Sequence, residues 1–199
     1  MTYYYILATY LIFYCILHSI MADDVIMNKI YYKWWYRGFF VIISTVLLVP
    51  AVIIYSKIKS EYFFNPPLAI KIILYLINIA ALLFGYYASK CYDNDEFLGI
   101  KQIREYFKKG VTEVNHHKKL IVKGALKYVR HPYYFAGIVL LWSRPLKVKD
   151  LLVNIIFTLY LILGAINEER KLIKYYGEEY INYKKEVPML IPRFFRFRE

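Results

Sequence analysis

The chain has 199 residues, 59% of them hydrophobic, and 27 Lys+Arg against 15 Asp+Glu give it a formal net charge of +12. One soluble domain of this length is neither so apolar nor so segregated in its charges, which makes intrinsic disorder, a disulfide-stapled secreted fold and a nucleic-acid binder poor readings. Two cysteines, Cys15 and Cys91, are too few for a framework or a metal quartet.

Four stretches carry no charge: residues 1–22, 38–56, 72–89 and 151–167. Each is near the ~20 residues an α-helix needs to cross a ~30 Å hydrocarbon core. The first, over 3–22, lacks a basic start and is followed by Asp23–Asp24 instead of small residues, so it is read as a retained span and not a signal peptide. A second span follows over 38–56. Pro66–Pro67 turn the chain into a third over 72–89, and a long polar loop occupies 90–131. Between Arg130 and Arg144 only 13 residues are uncharged, too few to cross alone. A short or tilted helix over 132–144, with Arg144 snorkelling and Pro145 opening the turn into a last span over 150–167, forms a hairpin. The predicted fold is an all-α integral membrane protein, one domain over 1–199 with about five transmembrane helices. Its C-terminal hairpin brings the loop 90–131 and the tail 168–199 together.

Charge orients the chain. Loop 90–131 holds ten Lys/Arg and the tail eight, whereas the connection between spans two and three holds only Lys57 and Lys59 before Lys71. The positive-inside rule then predicts a cytoplasmic loop and C-terminus and an external N-terminus, in a cell membrane.

Several chemistries lack their residues. The eight glycines are never closer than 11 positions apart, so no phosphate-cradling GxGxxG exists, and no HExxH is present. His116 and His117 are adjacent and face different sides of a helix, so no metal site is expected. The informative stretch runs from Gly124 through Arg130-His131-Pro132-Tyr133-Tyr134 to Gly137. By itself it reads equally as a membrane-entry cap, with Arg and Tyr at headgroup level and Pro in the first helical turn. The predicted hairpin, however, sets Glu168-Glu169-Arg170 beside Arg130–His131.

These residues, with Tyr176-Gly177, Tyr180, Tyr183, Val187-Pro188 and Pro192, resemble the integral-membrane S-adenosylmethionine methyltransferases, which include isoprenylcysteine carboxyl methyltransferase and the phospholipid methyltransferases. Leu17-His18-Ser19, Phe97-Leu98-Gly99-Ile100-Lys101-Gln102 and Val187–Pro192 are similar to the methanethiol S-methyltransferase and NnrU-like branch. The resemblance implies a cofactor site for S-adenosylmethionine built from Lys118, Lys119, Leu120, Ile121, Leu126, His131, Pro132, Tyr133, Tyr134 and Glu168, with Gln102 as a further contact. Arg130, His131 and Glu168 are the catalytic candidates. Arg130 or His131 would meet the cofactor carboxylate, Glu168 its amino group or a ribose hydroxyl, and a tyrosine ring its sulfonium. Relatives often carry His where Lys118 stands and Tyr where Leu126 stands. Gly164 occupies the place of the Arg with which isoprenylcysteine enzymes hold their substrate.

His18 is the titratable group inside the first span, and intramembrane polar groups are functional candidates. It and Gly164 are assigned to the acceptor side, although His18 and Gln102 also read as ordinary interfacial and helix residues. The expected reaction is methyl transfer to a small or lipophilic acceptor from the bilayer, a thiol above all, because a thiolate needs no dedicated base. The alternatives are carboxyl methylation of an isoprenylcysteine, methylation of a phospholipid amine, or a non-catalytic NnrU-like membrane protein. No obligatory protein partner is evident.

Overall fold

The structure, a computed structural model, describes residues 2–113 and 120–193. In chain order the helices are α1 (Thr2–Met21), α2 (Asp24–Met27), α3 (Tyr36–Val46), α4 (Val49–Lys57), α5 (Leu68–Ser89), α6 (Asn94–Phe97), α7 (Ile100–Lys109), α8 (Pro132–Trp142), α9 (Val148–Tyr176) and α10 (Glu178–Glu186). Two short strands, β1 (Tyr62–Phe64) and β2 (Leu146–Lys147), pair antiparallel. Four helical stretches are long and apolar enough to cross a membrane: Thr2–Met21, Tyr36–Lys57, Leu68–Ser89 and Val148–Tyr176. Pro132–Trp142 is a shorter apolar helix. On α5, Ile73, Leu76, Leu82 and Leu83 are each more than half exposed, an apolar surface that water would not tolerate.

The chain groups into two compact units. The first comprises Met1–Glu61 and Asp93–His116. Here α1 packs on α4, burying Leu7 and Leu11 near Ala51. The stretch expected as one span over 38–56 is two helices, broken at Leu47–Leu48. Pro50 has no N–H to return to the Val46 carbonyl, which loosens the ladder there. One residue on, the Tyr10 hydroxyl donates to the Leu47 carbonyl at 2.7 Å. At the other end of α3, Gly99 adopts φ +84, and a Cβ on it would lie 2.4 Å from the Gly38 nitrogen. Only glycine permits this approach. Arg37 fastens it by donating from Nε to the Phe97 carbonyl at 2.7 Å while lying over the Phe97 ring.

The second unit comprises Tyr62–Tyr92 and His117–Glu199. Helices α5 and α8 run antiparallel, since Gly85 faces Ala136, Phe84 meets Phe135, and Asn78 reaches Ser143. At ~1.5 Å per residue α8 extends only about 16 Å, half a bilayer core. Its last carbonyls therefore need partners away from water. Asn78 Nδ2 donates to the Ser143 carbonyl at 2.5 Å and Asn154 Nδ2 to that of Leu141 at 2.8 Å. Trp142 Nε1 donates to Thr158 Oγ1 at 2.9 Å. Past the end of α8 the chain continues into β2 and pairs with β1. Arg144, expected to snorkel, lies 3.3 Å from the buried Asp150 carboxylate, which also accepts the Lys147 N–H at 2.7 Å. The last long helix also exceeds its expected bounds: the first nine residues of the tail continue α9 and carry Glu168 and Glu169 on a rigid helical end.

Candidate functional site

The turn into α8 is bound to the end of the chain. Arg130 N–H donates to the Pro188 carbonyl at 3.0 Å, His131 N–H to that of Met189 at 3.1 Å, and Arg193 N–H to that of Tyr128 at 3.0 Å. Pro188 and Pro192 donate no hydrogen bonds, so this segment serves 128–131 chiefly as an acceptor. Gly177 (φ 55) separates α9 from α10 and lets α10 fold back on α9. Tyr180 is then buried, and the Tyr183 hydroxyl donates to the Leu126 carbonyl at 2.7 Å. Before the turn, Gly124 (φ +51) would place a Cβ 2.8 Å from Cys91 Sγ. Its glycine character keeps the end of α5 against this loop.

Within that frame sits a buried ion cluster. Arg130 Nε donates to Glu169 Oε1 at 2.5 Å, with side-chain exposures of 8% and 6%. Lys184 Nζ lies 2.8 Å from Glu169 Oε2, and His131 Nε2 lies 3.3 Å from Oε1. One Arg130 terminal nitrogen donates to the Lys184 carbonyl at 3.1 Å and to that of Val187. Burial acts to raise the Glu169 pKa, but hydrogen bonds from Arg130 and Lys184, with their charges, hold it below the usual carboxylate range.

Glu168, one residue earlier, points elsewhere: its side chain is 48% exposed. Its Oε2 accepts from the Tyr134 hydroxyl at 3.0 Å and lies 3.6 Å from His131 Nδ1. The His131 imidazole thus stands between two carboxylates and stacks on the Tyr134 ring, centroids 5.3 Å apart and 11° from parallel. Tyr133 stacks on Tyr92 at 5.2 Å. Burial and the Glu168 charge together push the Tyr92 phenol well above its usual value. A half-exposed carboxylate bordered by tyrosine rings suits a cationic ligand, which gains charge pairing from one and cation–π attraction from the other.

The structure brings together Arg130, His131, Tyr134 and Glu168, with Pro132 as the first residue of α8 and Tyr133 beside it. Gly164, one turn before Glu168, leaves open space in which a Cβ would meet the Tyr134 hydroxyl only at 4.0 Å. Leu126 contributes its carbonyl to Tyr183. Leu120 and Ile121 lie in the irregular stretch ahead of the 3-10 turn Gly124–Lys127, with Ile121 exposed. Lys118 and Lys119, like His116 and His117, fall outside the described residues. His18 and Gln102 belong to the first unit. There His18 packs on Phe40, centroids 4.8 Å apart, and buried Gln102 donates from Nε2 to the Glu96 carbonyl at 3.0 Å.

Sequence reasoning did not select Glu169, Lys184 or Tyr92 as site residues. Glu169 had a signal, standing beside Glu168, but the resemblance assigned the site acid to Glu168 alone. Lys184 and Tyr92 carried none.

No protein-family profile matches the chain, and no solved structure does. Among curated proteins it is similar to a methanethiol S-methyltransferase of Crocosphaera subtropica, 26% identical over 185 residues that cover 88% of this chain and 69% of that one. Methanethiol S-methyltransferase 1 of Bradyrhizobium diazoefficiens is 31% identical over 130 residues, 64% of this chain and 44% of the relative. Nurim of Xenopus laevis is 38% identical over 73 residues, 36% of this chain and 25% of the relative. The chain thus spans less than half the length of these last two. At 24–39% identity it is a distant homologue of the methanethiol S-methyltransferases and of nurim.

Proposed function

We propose that the protein is an integral-membrane, S-adenosylmethionine-dependent methyltransferase that acts on small or lipophilic thiols, with its cofactor site at the cytoplasmic boundary of the bilayer. The observation that carries this reading is the half-exposed Glu168 carboxylate among Tyr134, Tyr133 and Tyr92, held beside the Arg130–Glu169–Lys184 cluster. Further support comes from the similarity to methanethiol S-methyltransferases. The donor set fits the cofactor, since a carboxylate and phenol rings complement its amino and sulfonium charges. Bound there, S-adenosylmethionine supplies a methyl group already activated for in-line displacement.

The chain's own residues have separable tasks in this reading. Glu168 binds the amino group or a ribose hydroxyl. Tyr134 orients Glu168 through its hydroxyl, and Tyr133 with Tyr92 presents a ring to positive charge. His131 holds its ring between Glu168 and Glu169, one nitrogen toward each, and so positions Glu168. Arg130 differs from the expected assignment: three of its hydrogen bonds go to Glu169, Lys184 and Val187, so it holds the turn in shape and is not proposed to touch the cofactor. The acceptor side is drawn from Gly164, which itself brings no cation to hold a carboxylate, and this favours a neutral thiol.

In this reading α8 and the extended chain after it make a fifth crossing beside the four long apolar helices. The pairing of β1 with β2 joins the connection before α5 to the one after α8, as it would if both helices crossed. Binding of S-adenosylhomocysteine to detergent-purified protein, by calorimetry, tests the cofactor. An assay offering a small thiol and farnesylcysteine with labelled S-adenosylmethionine tests the acceptor. Heatless calorimetry, or carboxyl methylation with no thioether formed, would reject the respective half.

A further inference from the structure

The sequence of α7, Ile100-Lys-Gln-Ile-Arg-Glu-Tyr-Phe-Lys-Lys109, holds four basic residues against one acidic. It divides sharply around its axis. Gln102 is buried, and Tyr106 on the same side stacks on Trp34 with centroids 4.0 Å apart and planes 5° from parallel. Ile100, Ile103 and Phe107, spaced three and seven apart, lie on one stripe, as the ~3.6-residue turn requires. All three are exposed, Phe107 to 76%. Arg104 and Lys108 border that stripe on one side, and Lys109 ends the helix on the opposite face.

The depth of this helix is set by its neighbour. A Cβ on Gly38 would lie 3.3 Å from Ile103 Cδ1, and Gly38 is the third residue of the apolar stretch Tyr36–Lys57. Helix α7 therefore packs against the turn at which α3 would enter a bilayer, among Trp34 and Trp35, the residue types that settle at headgroup level. Asp93 and Glu96 neutralise Lys101, and Asp95 pairs with Arg104 at 3.0 Å, leaving Lys108 and Lys109 as the outward charge at the end of the helix.

We propose that α7 is a lipid-binding surface helix: Ile100, Ile103 and Phe107 insert at the acyl boundary, and Lys108, on the border of that stripe, binds the phosphates of anionic lipid headgroups in the same leaflet, with Lys109 adding charge at the helix end. An apolar stripe bordered by cations is the pattern of helices that lie in the interface plane. Each lysine near an anionic surface contributes roughly a fivefold gain in affinity. The inference is independent of methyl transfer and rests only on Tyr36–Lys57 crossing a bilayer.

The test uses the full chain in nanodiscs of phosphatidylcholine alone and of phosphatidylcholine mixed with phosphatidylglycerol. Amide hydrogen exchange over Ile100–Lys109 should slow several-fold in the anionic discs, and added salt should shrink the difference. The Lys108→Gln/Lys109→Gln variant should lose the difference while exchanging like wild type in neutral discs. Phe107→Ser should speed exchange in both lipids. Equal exchange in the two lipids, or a lipid difference that survives the double variant, overturns the proposal. So does slow exchange in both lipids that Phe107→Ser leaves unchanged, because a protein surface would then cover the stripe. Failure of the protein to enter either disc overturns the span reading on which it stands.

Discussion

Arg130 and Glu169 form an ion pair at 2.5 Å with both side chains almost fully buried, while Glu168, adjacent to Glu169 in sequence, is half exposed. The two glutamates project ~100° apart on α9. One is therefore enclosed by Arg130, His131 and Lys184, and the other lies at the edge with Tyr134. This separation divides folding from binding and makes the two roles testable one at a time.

Glu169→Ala leaves Arg130 and Lys184 buried or half-buried without their counter-charge. Removing one partner of a buried pair costs about 3–5 kcal/mol. A marked fall in melting temperature in detergent is expected for Glu169→Ala and for Arg130→Ala, and almost none for Glu168→Ala. Similar melting temperatures for both glutamate variants would contradict the burial difference.

Binding should follow the opposite order. Glu168→Ala, and His131→Ala beside it, are expected to weaken S-adenosylhomocysteine binding by roughly 2–5 kcal/mol, the loss typical when one side of a hydrogen-bonded charge contact is truncated. Calorimetry on folded Glu168→Ala that returned the wild-type affinity would remove Glu168 from the proposed site.

Acid should act through Glu169. Its folded-state pKa is depressed, so its contribution is complete above the unfolded value and is lost as pH falls through the folded one. Release of α10 is expected only at pH below the ordinary glutamate range. Faster hydrogen exchange over Glu178–Glu186 would report it, and Glu169→Gln should abolish the pH step. A step of the same size in that variant would assign it to another group.

At Gly164 a methyl group meets only the Tyr134 hydroxyl, at ordinary contact distance. Gly164→Ala should therefore keep its activity toward thiols, whereas Gly164→Leu should lose most of it by filling the space next to Tyr134. Turnover with a small thiol distinguishes these outcomes. A fully active Gly164→Leu would show that the acceptor does not pass there.

Asn78 and Asn154 donate to the last carbonyls of the short apolar helix α8. Leucine at either position strands a carbonyl, and interhelical hydrogen bonds in membranes contribute about 0.6–2 kcal/mol each. Each single variant should lower the melting temperature modestly. The double variant should lose the C-terminal turn of α8, visible as faster exchange at Leu141–Ser143. Unchanged exchange there would mean other donors satisfy the turn.

Much of this protein was legible along the chain. Runs of uncharged residues mark the long apolar helices, because each such helix satisfies its own backbone and length alone decides whether it can cross. The Arg130–Tyr134 turn and the acidic pair after the last span could also be placed together, since a hairpin with so few intervening residues has nowhere else to go. The break at Leu47–Leu48 was partly written in Pro50. What tertiary structure decided were choices among equivalent residues. Which of Glu168 and Glu169 is buried depends on the rotation of α9 against α10, and α10 brings the Lys184 ammonium from fifteen positions away. Whether Arg130 is free to meet a ligand depends on the carbonyls of Lys184 and Val187. Asn78 becomes a helix cap only because α8 stops beside it. Hydrophobic patterning specifies which face turns inward, but the partner of a polar group is set by packing between distant segments, and a buried charge takes whichever partner that packing brings within reach.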